Sequence, residues 1–253
     1  MTDTGQPLME NLLRLGDNAL ILGHRLSEWV GHSPAIEEEL AIGNIALDLI
    51  GQSRMWLTLA GEVEGLGRDE DKLAFLRDAG AFRNLLLVEL PNADFAQTIA
   101  RQFFFDIWHR QLLEKLANSS DTRVAEIAVK AVKEVDYHLR RSENWVITLG
   151  DGTDESHRRM QAGLDELWMY TGEMFESDAV EAPLVHAGVT IDHASLREPW
   201  NAYVDTVLTE ATLELPQAQF MQRGGKRGIH TEHLGYLLAE MQSVHRSYPS
   251  GTW

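Results

Sequence analysis

Two stretches of the chain carry an aspartate at the spacing of a metal-binding carboxylate–histidine pair, and one of them also has the histidine. Asp106-x-x-His109 has the spacing that brings both side chains to one face of a helix, and Asp48-x-x-Gly51 repeats it with a glycine in place of the histidine. In carboxylate-bridged di-iron proteins, two helices of a bundle each supply a Glu-x-x-His pair and two others each supply a Glu. The spacings therefore indicate the layout of such a site.

The set of ligands is incomplete, however. His138 is preceded at the key spacing by Val135, and Glu134 lies one position away, about 100° around a helix. One stripe of the first predicted helix adds three polar side chains that are able to face inward: Asp17, His24 and Glu28. Aspartates also stand where the longer glutamates are needed, so both metal-binding motifs are broken.

We interpret the candidate ligands as a buried polar cluster that holds no metal, because buried charges must be paired. A protonated histidine between two aspartates can satisfy their charges in the space that two metals would fill. The predicted cluster consists of Glu28, Asp48, Asp106, His109 and His138. The alternative is a self-sufficient di-iron oxidase or an iron-storage protein, which a content of about two irons per chain would reveal.

A glycine-rich loop, residues 222–228, concentrates positive charge. Arg223, Lys226 and Arg227 lie within it, and such a loop can contact a phosphate-bearing ligand or an acidic partner surface. A flexible, solvated loop is the other interpretation. A third interpretation of the chain, as a module that binds coenzyme A esters, rests on this loop alone.

Other catalytic signals are absent from the sequence. It has no cysteine, no G-x-S-x-G, no Walker A motif, no H-E-x-x-H and no dinucleotide fingerprint. His230-x-x-His233 has a metal-binding spacing, but we expect a solvated or capping role for it. Five tryptophans in predicted helices are expected to anchor a core or an interface: Trp29, Trp56, Trp108, Trp145 and Trp168.

Composition excludes several classes of protein. Of the 253 residues 44% are hydrophobic, and 39 acidic against 22 basic residues give a net charge of −17. That balance argues against nucleic-acid binding and against adhesion to an anionic membrane. Without a signal-peptide pattern or a long apolar run, the cytoplasm is the expected location.

Hydrophobic periodicity predicts four long helices, about residues 8–29, 33–64, 94–116 and 121–149. Ser33 is predicted to cap the second helix, and the capping-box spacing predicts caps at Asp94 and Ser195. Shorter helices are predicted near residues 156–176, 195–213 and 231–246, and residues 84–91 fit either a strand or a buried helix. Two apolar stripes on the second helix indicate burial within a bundle. The prediction is an all-α four-helix bundle with additional peripheral helices, in one domain over residues 1–253.

The chain resembles one known family, the PaaC subunits of bacterial phenylacetyl-CoA epoxidase complexes, which act as ring 1,2-phenylacetyl-CoA monooxygenases. The resemblance runs nearly end to end. It is carried by the strings LRLGDN (13–18), LSEWVGHSP (26–34), NIALDLIGQSR (44–54), NLLLVELPNADFAQTIARQFFFDIWH (84–109), KEVDYHLR (133–140), LWMYTGEMF (167–175), EATLELPQ (210–217) and GGKRGIHTEHLGYLLAEMQ (224–242).

This resemblance implies a ferritin-like subunit without a cofactor or an active site of its own. The di-iron centre and the coenzyme A thioester belong to a related catalytic A subunit, and a small B subunit joins the other two. A reductase with flavin and an iron–sulfur cluster delivers electrons from NADPH. We therefore expect a structural subunit that self-associates and exposes an apolar helix face where its partner docks.

Overall fold

The structure is a computed structural model that describes residues 5–248 and 251. Over that part of the chain it contains eleven α-helices, four short 3₁₀-helices and no β-strand, which confirms the predicted all-α class. The α-helices are α1 (Gly5–Ser27), α2 (Ile36–Glu64), α3 (Glu70–Phe75), α4 (Leu86–Glu89), α5 (Phe95–Leu116), α6 (Thr122–Gly150), α7 (Asp154–Trp168), α8 (Glu181–His186), α9 (Arg197–Glu210), α10 (Glu232–Met241) and α11 (Ser243–Ser247).

The chain divides into two compact units. The first runs up to Pro91 and resumes at Gly224, and the second comprises residues 92–223. Compact units of this kind can belong to one domain or to two, so the single domain over residues 1–253 stays a prediction. None of the helices in the described part is long and apolar enough to cross a membrane.

In the first unit, α1 and α2 form an antiparallel hairpin. Gly16 lies against Leu57, and Gly23 lies against Ile50, so the two chains run in opposite directions. A Cβ at Gly16 would stand 2.7 Å from a methyl group of Leu57. Glycine therefore lets the two helix backbones approach closely at these two points.

The long helix α2 departs from the sequence-based prediction in two ways. It begins at Ile36 behind Ala35, so Ser33 does not act as its cap. One of its apolar stripes is buried as expected, but Leu40 and Leu47 on the other stripe are exposed. The prediction that both stripes are buried was wrong, because only one side of the helix packs against its own chain.

In the second unit, α5 and α6 are also antiparallel. Ser142 bonds to Asp106 near one level of the pair, and Arg110 bonds to Asp136 one turn away. Asp94 caps α5 through a 2.9 Å bond from the backbone N–H of Gln97, as the sequence predicts. An aromatic cluster fills the space beside α5: Phe104, Trp168, Phe175 and Trp200.

Several of the shorter elements differ from the sequence-based prediction. Residues 84–91 contain the buried four-residue helix α4 rather than a strand. Ser195 does not cap α9, because its hydroxyl bonds to the carbonyl of Asp192. The predicted helix over 156–176 ends at Trp168, and that over 231–246 breaks at Gln242. Two of the five tryptophans, Trp56 and Trp108, are fully buried, whereas the remaining three are half-buried.

Two helix-interior glycines allow a test of this packing. A Cβ at Gly163 in α7 would stand 2.9 Å from the Cα of Gln97 on α5, whereas one at Gly235 in α10 meets no described atom within 4 Å. Gly163→Ala should therefore lower the free energy of unfolding by about 1–3 kcal/mol. Gly235→Ala should raise it by roughly 0.5–1 kcal/mol, because alanine is the better helix former. Urea denaturation followed by circular dichroism measures both, and equal effects would contradict the α5–α7 contact.

Candidate functional site

The candidate site lies in the second unit, between α5 and α6. Asp106 and His138 are completely buried, and His109 is 3% exposed. Helical spacing brings Asp106 and His109 to one face of α5, and the antiparallel partner α6 brings His138 and Ser142 opposite that face. Three of the five predicted cluster residues therefore come from this helix pair.

Hydrogen bonds engage both oxygens of the Asp106 carboxyl. The amide of Gln102, one turn earlier on α5, donates to Oδ1 at 2.6 Å. The hydroxyl of Ser142 lies 2.8 Å from Oδ2 and 3.1 Å from the carbonyl oxygen of Leu139. A hydroxyl has one proton, so it donates to one of these acceptors at a time. Both contacts are satisfied together when Asp106 itself carries a proton on Oδ2.

The electrostatics of the site favour the same protonated state. Burial raises the pKa of Asp106 to about 7, although the positive field of His138 and the bonds from Ser142 and Gln102 act in the opposite direction. At neutral pH this carboxyl is therefore protonated about half of the time. Asp106 behaves as a polar hydrogen-bonding group as much as an anion.

His109 is uncharged. Burial, and next the charge of His138, lower its pKa to about 3. Its ring lies among aromatic side chains, 4.9 Å from the Phe105 ring and 6.3 Å from the Trp108 ring, measured between centroids. A neutral histidine in an aromatic setting does not supply the positive charge that we expected between two aspartates.

These side chains do not fit the di-iron centre that the fold family implies. Such a centre needs four carboxylates and two histidines, whereas α5 offers one buried carboxyl, Asp106, that Gln102 and Ser142 already engage. On α6 the residue one turn before His138 is the buried Val135, which has no ligating atom. Within the described part of the chain, three or more His, Asp or Glu side chains nowhere converge in a way that suits a metal.

The remaining two predicted cluster residues lie in the first unit. Glu28 follows the end of α1, where its side chain is 34% exposed and 2.8 Å from Arg25. The expectation that Glu28 joins a buried cluster was therefore wrong, because the chain turns toward solvent at that point. Asp48 is half-buried on α2. Asp17, from the same stripe as Glu28, is completely buried.

The glycine-rich loop is packed rather than solvated. A Cβ at Gly225 would stand 2.1 Å from the carbonyl oxygen of Asn84, so only glycine fits there. Lys226 is 7% exposed, which removes it from the surface expected to meet a partner or a phosphate. Arg223 and Arg227 are exposed and remain candidates for that contact.

A second polar network, which the sequence did not predict, lies in the first unit. The buried carboxylate of Glu89 accepts bonds from Asn84 at 2.8 Å and from the backbone N–H of Thr231 at 2.6 Å, and it lies 2.7 Å from Nδ1 of His230. The other ring nitrogen of His230 lies 3.0 Å from the carbonyl oxygen of Phe82. Because both neighbours of the ring are acceptors, both nitrogens donate and the ring is positively charged.

This arrangement corrects the solvated or capping role expected for His230. Burial acts to lower the pKa of His230, but the hydrogen bond to Glu89 and its charge outweigh burial, so the pKa is raised above its usual value. With both nitrogens engaged, His230 has none left for a metal. The signal that was available in the sequence was a glutamate inside the apolar run 84–91, because a charge in such a run needs a buried partner.

A related ion pair fixes α1. The completely buried Asp17 forms an ion pair with Arg77, whose Nη1 lies 3.0 Å from Oδ2 of Asp17. The same oxygen accepts the backbone N–H of Arg83 at 2.8 Å. Asp17 therefore holds the segment that follows α3 and takes no part in a metal site.

The first site prediction concerns the proton on Asp106. Its folded pKa of about 7 lies above the unfolded value of about 4. The native protein therefore binds this proton more tightly, and stability present at low pH is lost as the pH rises from about 4 through 7. Asp106→Asn should remove this loss and raise the free energy of unfolding at pH 8 by roughly 2–4 kcal/mol relative to the unmodified chain.

The matched control for that variant is Asp136→Asn on α6, where the side chain is 52% exposed and bonded to Arg110. This change should alter stability by less than about 1 kcal/mol at either pH. Denaturation curves at pH 5 and pH 8 make the comparison. A pH dependence of Asp106→Asn equal to that of the unmodified chain would refute a protonated Asp106.

The second site prediction separates neighbouring cations of the loop. Lys226→Glu reverses a buried charge and should cost about 3 kcal/mol or more in the free energy of unfolding. Arg227→Glu changes an exposed side chain and should stay within about 0.5 kcal/mol. Urea denaturation of both variants provides the measurement, and a Lys226→Glu variant as stable as Arg227→Glu would show that the loop is solvated after all.

Comparison with known proteins agrees with the family resemblance seen in the sequence. Residues 1–253 match the family model described as phenylacetic acid catabolic protein, an all-α family of ferritin-like fold. The chain is 51% identical over 241 residues to the C subunit of the 1,2-phenylacetyl-CoA epoxidase of Escherichia coli (strain K12), and the match covers 95% of this chain and 97% of that protein. The chain therefore belongs to the family of phenylacetic acid catabolic proteins.

Proposed function

We propose that this chain is the non-catalytic structural subunit of a multicomponent di-iron monooxygenase that epoxidises the ring of phenylacetyl-CoA in aerobic phenylacetate catabolism. The name of the relative that is 51% identical supports the pathway and the place of this chain in the complex. The observation that carries the structural role is the state of the α5–α6 site. Its one carboxyl is engaged by Gln102 and Ser142, and Val135 stands where a ligand is needed.

The partners that we propose are those that the family resemblance implies. A related catalytic A subunit holds the di-iron centre and binds the coenzyme A thioester, and a small B subunit joins it to this chain. A reductase with flavin and an iron–sulfur cluster supplies electrons from NADPH. This chain binds the A subunit, self-associates and works in the cytoplasm. Arg223 and Arg227 are candidates for contact with an acidic surface of a partner.

The polar interior described above gives such a subunit a defined shape. Buried groups that satisfy one another in a single arrangement favour one packing of the helices over others. The chain's own residues therefore contribute rigidity and a docking surface, while the reacting atoms lie in the A subunit. Permanent complexes of this type bury large interfaces.

The division of labour can be tested at His138. The side chain of His138 is completely buried, so His138→Ala leaves a cavity between α5 and α6 and should lower the free energy of unfolding by about 3 kcal/mol. An assembled complex that contains this variant should keep its turnover of phenylacetyl-CoA at a temperature where the variant is folded. The assay is product formation with reductase and NADPH, after size analysis has shown full assembly.

The control is replacement of a di-iron ligand in the A subunit, which should abolish turnover in an otherwise unmodified complex. Iron analysis of the purified chain adds an independent readout. Stoichiometric iron bound by this chain would favour the self-sufficient oxidase or iron-storage alternative. Loss of turnover in a folded and fully assembled His138→Ala complex would overturn the structural role.

A further inference from the structure

Large apolar side chains lie exposed along one face of α2. Ile36, Leu40, Leu47 and Ile50 are 40–70% exposed, while the opposite face of the helix is buried. Proteins that work as monomers rarely leave several large apolar side chains exposed along one face of a helix. The face therefore has the character of a docking surface.

The exposed face has the spacing of a coiled-coil seam. Steps of alternately three and four residues connect six exposed positions, which we call the α2 seam: Glu37, Leu40, Asn44, Leu47, Gly51 and Arg54. This alternation is the spacing of the a and d positions along which two helices pack side by side. Leu40 and Leu47 are the apolar members of the seam, and Ile36 and Ile50 flank it. A second helix with matching positions fits the α2 seam.

Two copies of the α2 seam are complementary when they run antiparallel. With Glu37 of one copy opposite Arg54 of the other, Leu40 lies opposite Gly51. A Cβ at Gly51 would meet no described atom of its own chain within 4 Å, so a leucine from the second copy has room there. The opposite charges of Glu37 and Arg54 meet at both ends of the pair. Arg54 reaches Glu70 of its own chain at 3.1 Å but is 76% exposed, so it is accessible to both.

The centre of the antiparallel arrangement is also consistent. Asn44 lies opposite Leu47, and the two copies of Asn44 are about 4.5 Å apart along the helix axis. A polar residue at a central seam position is a device that fixes register and orientation. Gly43 lies on the flank between Ile36 and Ile50 and has no described neighbour within 4 Å of a Cβ, which permits close approach of the second helix.

Other arrangements of two copies are less favourable. In a parallel pair Glu37 meets Glu37 and Arg54 meets Arg54, so like charges repel. An antiparallel pair displaced by one heptad places Glu37 opposite Leu47 in one direction and opposite the buried Gly61 in the other. Only the antiparallel register with positions 37 and 54 opposed pairs both charges and fills Gly51.

We propose that the α2 seam binds a second copy of this chain, with the two α2 helices antiparallel and centred between residues 45 and 46. This inference rests on the self-association included in the proposed function and names the surface that carries it. The occupant is a second copy because the seam complements itself in charge and in shape.

Cross-linking tests the register. The chain has no cysteine, so each variant introduces a single thiol. In oxidising conditions Asn44→Cys should form a disulfide-linked dimer, because its two copies lie near the centre of the pair. Glu62→Cys, exposed at the far end of the same helix, is the matched control and should stay unlinked, since its copies are about 50 Å apart.

Mixed cross-linking tests the direction. Glu37→Cys and Arg54→Cys should each stay unlinked alone and should form a heterodimer when the two proteins are mixed. Efficient self-linking of either variant indicates a parallel pair and overturns the proposal. Failure of Asn44→Cys to link also overturns it.

Association measured by sedimentation or by size exclusion with light scattering provides a second test. Leu47→Asp should raise the dimer dissociation constant at least roughly thirtyfold. Leu66→Asp changes a leucine that is 75% exposed outside α2 and should leave the dissociation constant unchanged. Glu37→Arg and Arg54→Glu should each raise it roughly two- to tenfold, and the double variant should restore it.

The outcomes separate this inference from the proposed function. A monomeric chain overturns the α2 pairing, as does a dimer that Leu47→Asp does not weaken. Capture by an A-type subunit on a column, measured separately, decides the structural role. An α2 seam that is buried by the A subunit and not by a second copy would overturn the pairing and leave the proposed function intact.

Discussion

A carboxylate inside a helical core has to be neutralised, and this requirement shapes the interior of the protein. Asp17 meets the guanidinium of Arg77, and Glu89 lies against the positively charged ring of His230. Asp106 is neutralised differently, since burial raises its pKa to about 7 and lets it retain a proton. Each of the three arrangements avoids leaving an unpaired carboxylate in the core, where removal from water would cost several kcal/mol.

These neutralisations also decide what the polar interior does. The first two connect segments that are far apart in the sequence, because Asp17 is 60 residues from Arg77 and Glu89 is 141 residues from His230. The third keeps a carboxyl at a position that the Asp106-x-x-His109 spacing marks as a possible metal ligand. A carboxyl satisfied by an amide and a hydroxyl, with an uncharged histidine one turn away, stabilises helix packing and leaves no free ligand set. The described polar interior therefore stabilises the packing of the helices, which supports the structural role that we propose.

The sequence predicted what depends on local pattern. Asp94 was expected to cap α5 and does so, since a cap and its N–H partner are three residues apart and need nothing else. Asp106 and His109 were expected on one helix face for a similarly local reason. Lys226 and His230 were misjudged because their burial depends on segments more than 130 residues away, and no local period reports such contacts. Glu28 was misjudged because a stripe that is buried in the middle of a helix reaches solvent at its end.

The two apolar stripes of α2 show that hydrophobic periodicity does not distinguish a face that packs within the chain from one that packs on another chain. Periodicity treats them alike, because a stripe that packs on its own chain and one that packs on another chain have the same spacing. What differs is their content. The buried stripe is apolar almost throughout, whereas the exposed seam is interrupted by Glu37, Asn44, Gly51 and Arg54. In a stripe that packs in the core of a single chain, such polar residues would lower stability, because burying them without partners is unfavourable.

In the antiparallel pairing of two copies that we propose, the same residues set direction and register, because each one lies opposite a residue that accommodates it. Polar and small residues within an apolar stripe are therefore better explained by assembly than by folding.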